Sequence, residues 1–97
     1  MDGNGVVRRQ VRVTPEHGLH LSPISQLVRK ATAFASKISL SFDDRHADVK
    51  SAFDLMLLAA PCGAILSLEV SGPDAEVAAS AICDLFEQGF ALGGQGH

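Results

Sequence analysis

The hydrophobic positions of this chain change period along its length, and each change marks an element. Val11 and Val13 alternate with Gln10, Arg12 and Thr14, a period of two that predicts a strand with one buried face, ended by the turn-forming run Pro15 to Gly18. From Ser22 the period lengthens. Ile24, Leu27, Val28, Ala31 and Phe34 recur at spacings of three and four, which places them on one face of a helix. Pro23 is tolerated in its first turn because a backbone donor there has no partner. Ile38, Leu40 and Phe42 then alternate with Lys37, Ser39 and Ser41 as a second strand, and Asp43-Asp44-Arg45 predicts a hairpin connection into a short third strand over His46 to Val49.

Ser51 to Leu58 reads as a short apolar helix, with Ser51 as its N-cap and Asp54, three residues on, as a shortened capping-box partner. Pro61-Cys62-Gly63 breaks it. Leu66, Leu68 and Val70 alternate with polar neighbours as a fourth strand, and Gly72-Pro73-Asp74 turns the chain into a last helix. The inward face of that helix is Ala75, Ala78, Ile82, Leu85 and Phe86, and Gly89 stops it. Asp74 and Glu76 suit its positive N-terminus. The order β-α-β-β-α-β-α predicts an α+β fold, a four-stranded antiparallel sheet with helices packed on one face. Residues 1–97 make one domain with an ordered core over about 7–90, and the small, polar Met1 to Gly5 and Gly93 to His97 are loose ends.

Composition narrows the function more than it defines it. With 46% hydrophobic and 20% charged residues, burial can offset the ordering entropy and the chain should fold. A net charge of −3 gives no basic stripe for nucleic acid. No run of about 20 apolar residues is present to span a membrane, and the polar N-terminus is not a signal peptide, so a cytoplasmic protein is expected. Cys62 and Cys83 are too far apart for a paired metal motif and read as small buried hydrophobes in a reducing compartment. No metal cluster, phosphate-cradling glycine loop or acid–base pair is evident. No cofactor is expected, and the sequence argues against a self-contained enzyme.

One segment carries chemistry. In Glu16-His17-Gly18-Leu19-His20-Leu21-Ser22-Pro23, His20 stands immediately before a predicted helix. Helix N-termini present unpaired amides and about half a positive charge, so an anion attached to His20 would meet the backbone amides of Leu21 and Ser22. Imidazole, with an ordinary pKa of about 6.5, is substantially neutral and nucleophilic near neutral pH. Reversible uptake of a phosphoryl group is the chemistry that fits, and a histidine that merely caps its helix is the plain alternative.

Several separated motifs together resemble a known family. Gly18-Leu19-His20 with Pro23, then Leu27-Val28, Ala31 and Phe34, are similar to the active-site segment of the HPr (histidine-containing phosphocarrier) family of the bacterial phosphoenolpyruvate-dependent phosphotransferase system. Lys50-Ser51, the Phe53 to Leu58 helix, Gly63, Gly72-Pro73-Asp74-Ala75 and Leu85-Phe86-Glu87-Gln88-Gly89-Phe90 match it in order and spacing. The resemblance covers about residues 10 to 90 and implies an HPr-like open-faced β-sandwich. It implies that His20 is phosphorylated on Nδ1 by enzyme I and passes the group to a sugar-specific enzyme IIA-type protein. Leu21, Ile24, Phe53, Met56 and Leu57 match the apolar docking surface around the histidine. Helical spacing equally suits a core for some of them, and Phe53 and Leu21 are the better contact candidates. Ser51 matches a serine that an HPr kinase phosphorylates in some bacteria, and a plain N-cap accounts for it as well.

The chain departs from the family where an arginine usually follows the histidine by two residues, for Ser22 stands there. An arginine fork holds phosphate through two charge-assisted bonds, and losing such a bond costs about 1.5 to 3 kcal/mol. Arg29 and His17 are the cations that could stand in. Ile24 replaces an alanine and Asp54 adds an acid near the docking surface, and both alter partner choice. The sequence therefore supports a phosphocarrier between enzyme I and a downstream acceptor. The alternative is a regulatory docking module, switched at Ser51, that binds an enzyme or a transcription regulator and moves little phosphate.

Overall fold

The computed structural model describes residues 5–90, in which the seven expected elements appear in the expected order. They are β1 (Val6–Arg12), α1 (Leu21–Ala31), β2 (Lys37–Phe42), β3 (Arg45–Asp48), α2 (Ala52–Leu58), β4 (Ile65–Ser71) and α3 (Ala75–Glu87). The terminal segments expected to be loose lie outside the described residues, apart from Gly5. Three boundaries shift: β3 takes in Arg45, which pairs with Phe42, and ends at Asp48 rather than Val49. Strand β1 begins at Val6, because Val7 pairs with Val70 and extends the alternation upstream of Val11. Helix α1 ends at Ala31, and Phe34 reaches the core from the loop beyond it, half-buried.

All four strands are antiparallel, in the order β1-β4-β2-β3. The last strand enters between the first two, with Leu68 facing Leu40 and Val70 facing Ile38. Because side chains alternate across a strand, this register puts Val11, Leu66, Leu68, Val70, Ile38, Leu40 and Ala47 on one buried face. The other face carries Arg8, Gln10, Ser67 and Ser41. A sheet covered on one side is the usual antiparallel solution. Helices α1 and α3 close the apolar face through Ile24, Leu27 and Ala31 and through Ala78, Ile82 and Phe86. Leu55 and Leu58 of α2 complete the core. Cys83 packs half-buried against this core, and burial pushes its thiol pKa up. Cys62 corrects the expectation of two buried cysteines: it is exposed on the α2–β4 loop, where its Sγ donates to Thr14 O at 3.6 Å rather than packing in the core.

At the end of the sheet where Val6, Ser71 and Lys37 lie side by side, a polar latch ties two loops together. Asp74, expected to serve its own helix, makes no capping bond there. Its carboxylate instead accepts from the amides of Ala35 (3.0 Å) and Ser36 (2.9 Å) and from the Ser36 hydroxyl, whose oxygen accepts in turn from the Asp74 amide (3.1 Å). Ser36 is buried, and Gly72 lies so close that a Cβ there would sit 2.6 Å from its Oγ. The Ser36 hydroxyl, then the Ala35 amide, hold the Asp74 carboxyl below the usual carboxylate range.

A carboxyl whose folded-state pKa is lowered contributes stability that is fully present above its unfolded value of about 3.9 and is lost as pH falls through the lowered one. Asp74→Asn should therefore lower the thermal midpoint at neutral pH. The gap to wild type should close as pH drops below the carboxylate range, a comparison that thermal melts across an acid series would make directly.

Candidate functional site

The β1–α1 loop is built to present His20. Beyond β1 the ladder with β4 continues one step, Val13 donating to Ala64 O (2.9 Å) and accepting from Gly63 N (2.7 Å). The chain then turns, the Gly18 amide donating to Pro15 O at 2.9 Å. Gly18 takes φ +72°, and a Cβ on it would lie 2.6 Å from Ala60 O and 3.0 Å from Pro61 Cα, so only glycine lets the two loops meet this closely. Leu19 is buried and its amide donates to Ala60 O at 3.0 Å. With its neighbour fixed on both sides, His20 enters α1 in extended conformation as the N-cap.

His20 caps in position only. Its side chain makes no capping hydrogen bond and is exposed. The Ile24 amide closes the first helical bond onto His20 O at 3.0 Å, Pro23 has no amide proton to give, and the Leu21 and Ser22 amides meet no backbone acceptor among the described residues. The first turn holds no acidic residue, so nothing there offsets its partial positive charge. An exposed imidazole beside two open amides can bond covalently to a phosphoryl group and have its oxygens met by donors already in place.

The remaining candidates separate. His17 comes to His20, the two rings standing edge to face with centroids 5.8 Å apart. Arg29 does not: it lies in the last turn of α1, nine residues on and so about 13 Å along the axis, where it suits the negative helix end instead. Ile24 corrects the docking assignment, since at 1% exposure it fills the core beneath the loop and cannot touch a partner. His46 belongs to the open face of the sheet, its Nδ1 within 2.9 Å of Ser41 Oγ. No group of three or more histidine, cysteine or acidic side chains is gathered as a metal site among the described residues.

Helix α2 splits by face. Leu55 and Leu58 are buried, while Phe53, Met56 and Leu57 stand on the opposite side at 65%, 52% and 60% exposure. Leu21 is 74% exposed at the start of α1, and the contact of Gly18 and Leu19 with Ala60 brings the end of α2 to the same end of the molecule. An apolar patch thus adjoins the histidine loop. Ser51 caps α2, its Oγ accepting from the Asp54 amide at 3.2 Å. The reciprocal half of the capping box is absent, because the Asp54 carboxylate accepts from Asp48 N (3.1 Å) and the Ser51 amide donates to Asp48 O (2.9 Å). Lys50 reaches back to Phe34 O at 2.7 Å. Leu19 and Ala60, which set the loop's position, carry no sequence signal beyond being apolar. Gly18 was the visible clue.

Comparison with known proteins points to one family. The family model described as the phosphotransferase system HPr component phosphorylation site matches residues 7–88. The phosphocarrier protein HPr of Treponema pallidum is 41% identical over 85 residues, covering 88% of this chain and 97% of that protein. The HPr of Vibrio cholerae is 34% identical over 80 residues, covering 82% and 94%. Among solved structures, HPr-C-His from Thermoanaerobacter tengcongensis superposes with a TM-score of 0.85 at 29% identity, covering 88% of this chain and 96% of that one. An HPr from Bacillus anthracis gives 0.80 at 29%, covering 86% and 99%.

Two substitutions probe how the site is held. Gly18→Ala forces a side chain into a left-handed conformation against Ala60 and should destabilise the fold by about 1–3 kcal/mol in denaturant titration. Ser51→Ala removes the α2 cap and should cost about 1 kcal/mol in the same measurement.

Proposed function

The chain belongs to the HPr family and is a phosphocarrier of the phosphotransferase system, with enzyme I and enzyme II proteins of that system as its partners, and we propose that His20 is the residue that carries its phosphoryl group. In this reading the group comes from phosphoenolpyruvate through enzyme I and leaves to an enzyme IIA-type acceptor, all in the cytoplasm. The observation that carries the assignment is the placement of an exposed, unbonded imidazole at a helix N-terminus with the Leu21 and Ser22 amides open.

The lone pair of a neutral ring nitrogen attacks phosphorus, the donor's bond to phosphorus breaks as the N–P bond forms, and the ring proton leaves to solvent. The amides of Leu21 and Ser22 then face the phosphoryl oxygens. Most of what such a transfer requires is position and charge stabilisation, which a rigid loop and a helix terminus supply without a pocket. The exposed Leu21, Phe53, Met56 and Leu57 form the face on which donor and acceptor dock in turn. Large apolar side chains left in water near a reactive group support such a contact surface. Ser22, where the family carries arginine, supplies a neutral hydroxyl, so transfer should be slower than through a guanidinium.

Incubation with phosphoenolpyruvate and enzyme I from the same organism should yield acid-labile phosphohistidine on the wild type and none on His20→Ala. Label persisting in the variant would remove His20 from the role. Ser22→Arg should raise the rate of uptake by roughly tenfold, the worth of one charge-assisted bond.

A further inference from the structure

We propose that His17 is a positioning residue for the phosphoryl group on His20, and that its protonated imidazole does the work a fixed guanidinium would do. The inference deepens the assignment of His20 and rests on it. It begins from the edge-to-face approach of the two rings, at 5.8 Å between centroids, which no regular element imposes. The two histidines sit on either side of the left-handed Gly18, and the turn closed by the Gly18 amide on Pro15 O folds His17 back toward the helix start. The Leu19 amide bonded to Ala60 O then fixes the far side of the turn. Both rings are exposed, and neither makes a hydrogen bond to another described residue that would have to be broken. With the rings this close, a tetrahedral group on a His20 ring nitrogen could accept from a His17 N–H at the about 2.7–2.9 Å of a charge-assisted bond.

His17 is the side chain facing His20 that is able to carry positive charge. The first turn of α1 contains no acid, its basic residues Arg29 and Lys30 lie in the last turn, and Ser22 is uncharged. The titratable groups around the loop are few. Glu16 neighbours His17 in the chain, and His20 faces it. Cys62 stands on the α2–β4 loop, whose backbone approaches Gly18, and Arg12 ends β1. Glu87 ends α3, close to where Gly89 packs against Thr14. A phosphoryl dianion on His20 would favour the protonated form of the ring that faces it. Proton binding at His17 and phosphoryl binding at His20 are then linked, each strengthening the other by the same factor. A guanidinium would hold the group at every pH, whereas this arrangement weakens as His17 loses its proton.

The test follows both histidines in the intact protein. With phosphoenolpyruvate and enzyme I, His17→Ala should take up phosphoryl at least about tenfold more slowly than wild type, while His17→Lys, which restores a cation without the ring, should recover most of the loss. By proton NMR, the titration midpoint of His17 should move up by about one unit or more when His20 is phosphorylated, a tenfold linkage. His46, on the strand at the opposite edge of the sheet, should stay where it is and serve as the internal reference. Wild-type uptake by His17→Ala, or a His17 midpoint that phosphorylation leaves unmoved, overturns the role of His17 alone. Label that never forms on the wild type, or that survives in His20→Ala, overturns the assignment of His20 and the inference with it.

Discussion

Where Gly18 presses on the carbonyl of Ala60, two loops distant in sequence share one small volume, and the position of His20 follows from that contact. Ala60 O accepts from Leu19 N, the apolar side chain of Leu19 is buried beneath the loop, and Gly63 and Ala64 bond Val13 on the near side. The loop therefore has little freedom. A histidine that follows such a segment enters the helix with its backbone set and only its side chain free. The same contact carries the end of α2, with its exposed Phe53, Met56 and Leu57, to the edge of the site.

The site and the stabilising polar network occupy opposite ends of the sheet. At the end marked by Arg12 and Ile65 lie the open amides, the histidines and the apolar patch. At the end marked by Val6, Ser71 and Lys37 lie Asp74 and the buried Ser36, with their hydrogen bonds satisfied within the fold. Unsatisfied donors and exposed leucine or phenylalanine both work against stability, so their concentration at one end marks it as the functional end.

Charge is sparse around the histidine. The helix N-terminus contributes through backbone amides, which no change of side chain removes, and Ser22 leaves the place of the family's arginine neutral. The basic side chains of α1 itself sit at its far end, where they answer the helix dipole. What stands around His20 is thus mainly what the backbone supplies, with the His17 ring beside it.

Period and punctuation along the chain were enough to set out all seven elements and their order, because alternation in Leu66, Leu68 and Val70 or spacing in Leu27 and Ala31 follows directly from strand and helix geometry. They also isolated His20, since Gly-Leu-His before a proline can be placed at a helix start without knowing what packs on it. Ile24, Arg29 and His17 were different. Each is a question of direction, whether a side chain points into the core, toward the far end of its helix or back across a turn, and direction is decided by packing between elements. The sequence by itself determined the elements, their pairing into an antiparallel sheet and the placing of His20 at a helix start. Only the tertiary structure buried Ile24, kept Arg29 out of the site, turned Asp74 away from its own helix and set His17 beside His20, because each outcome depends on a contact between segments that local periodicity does not encode.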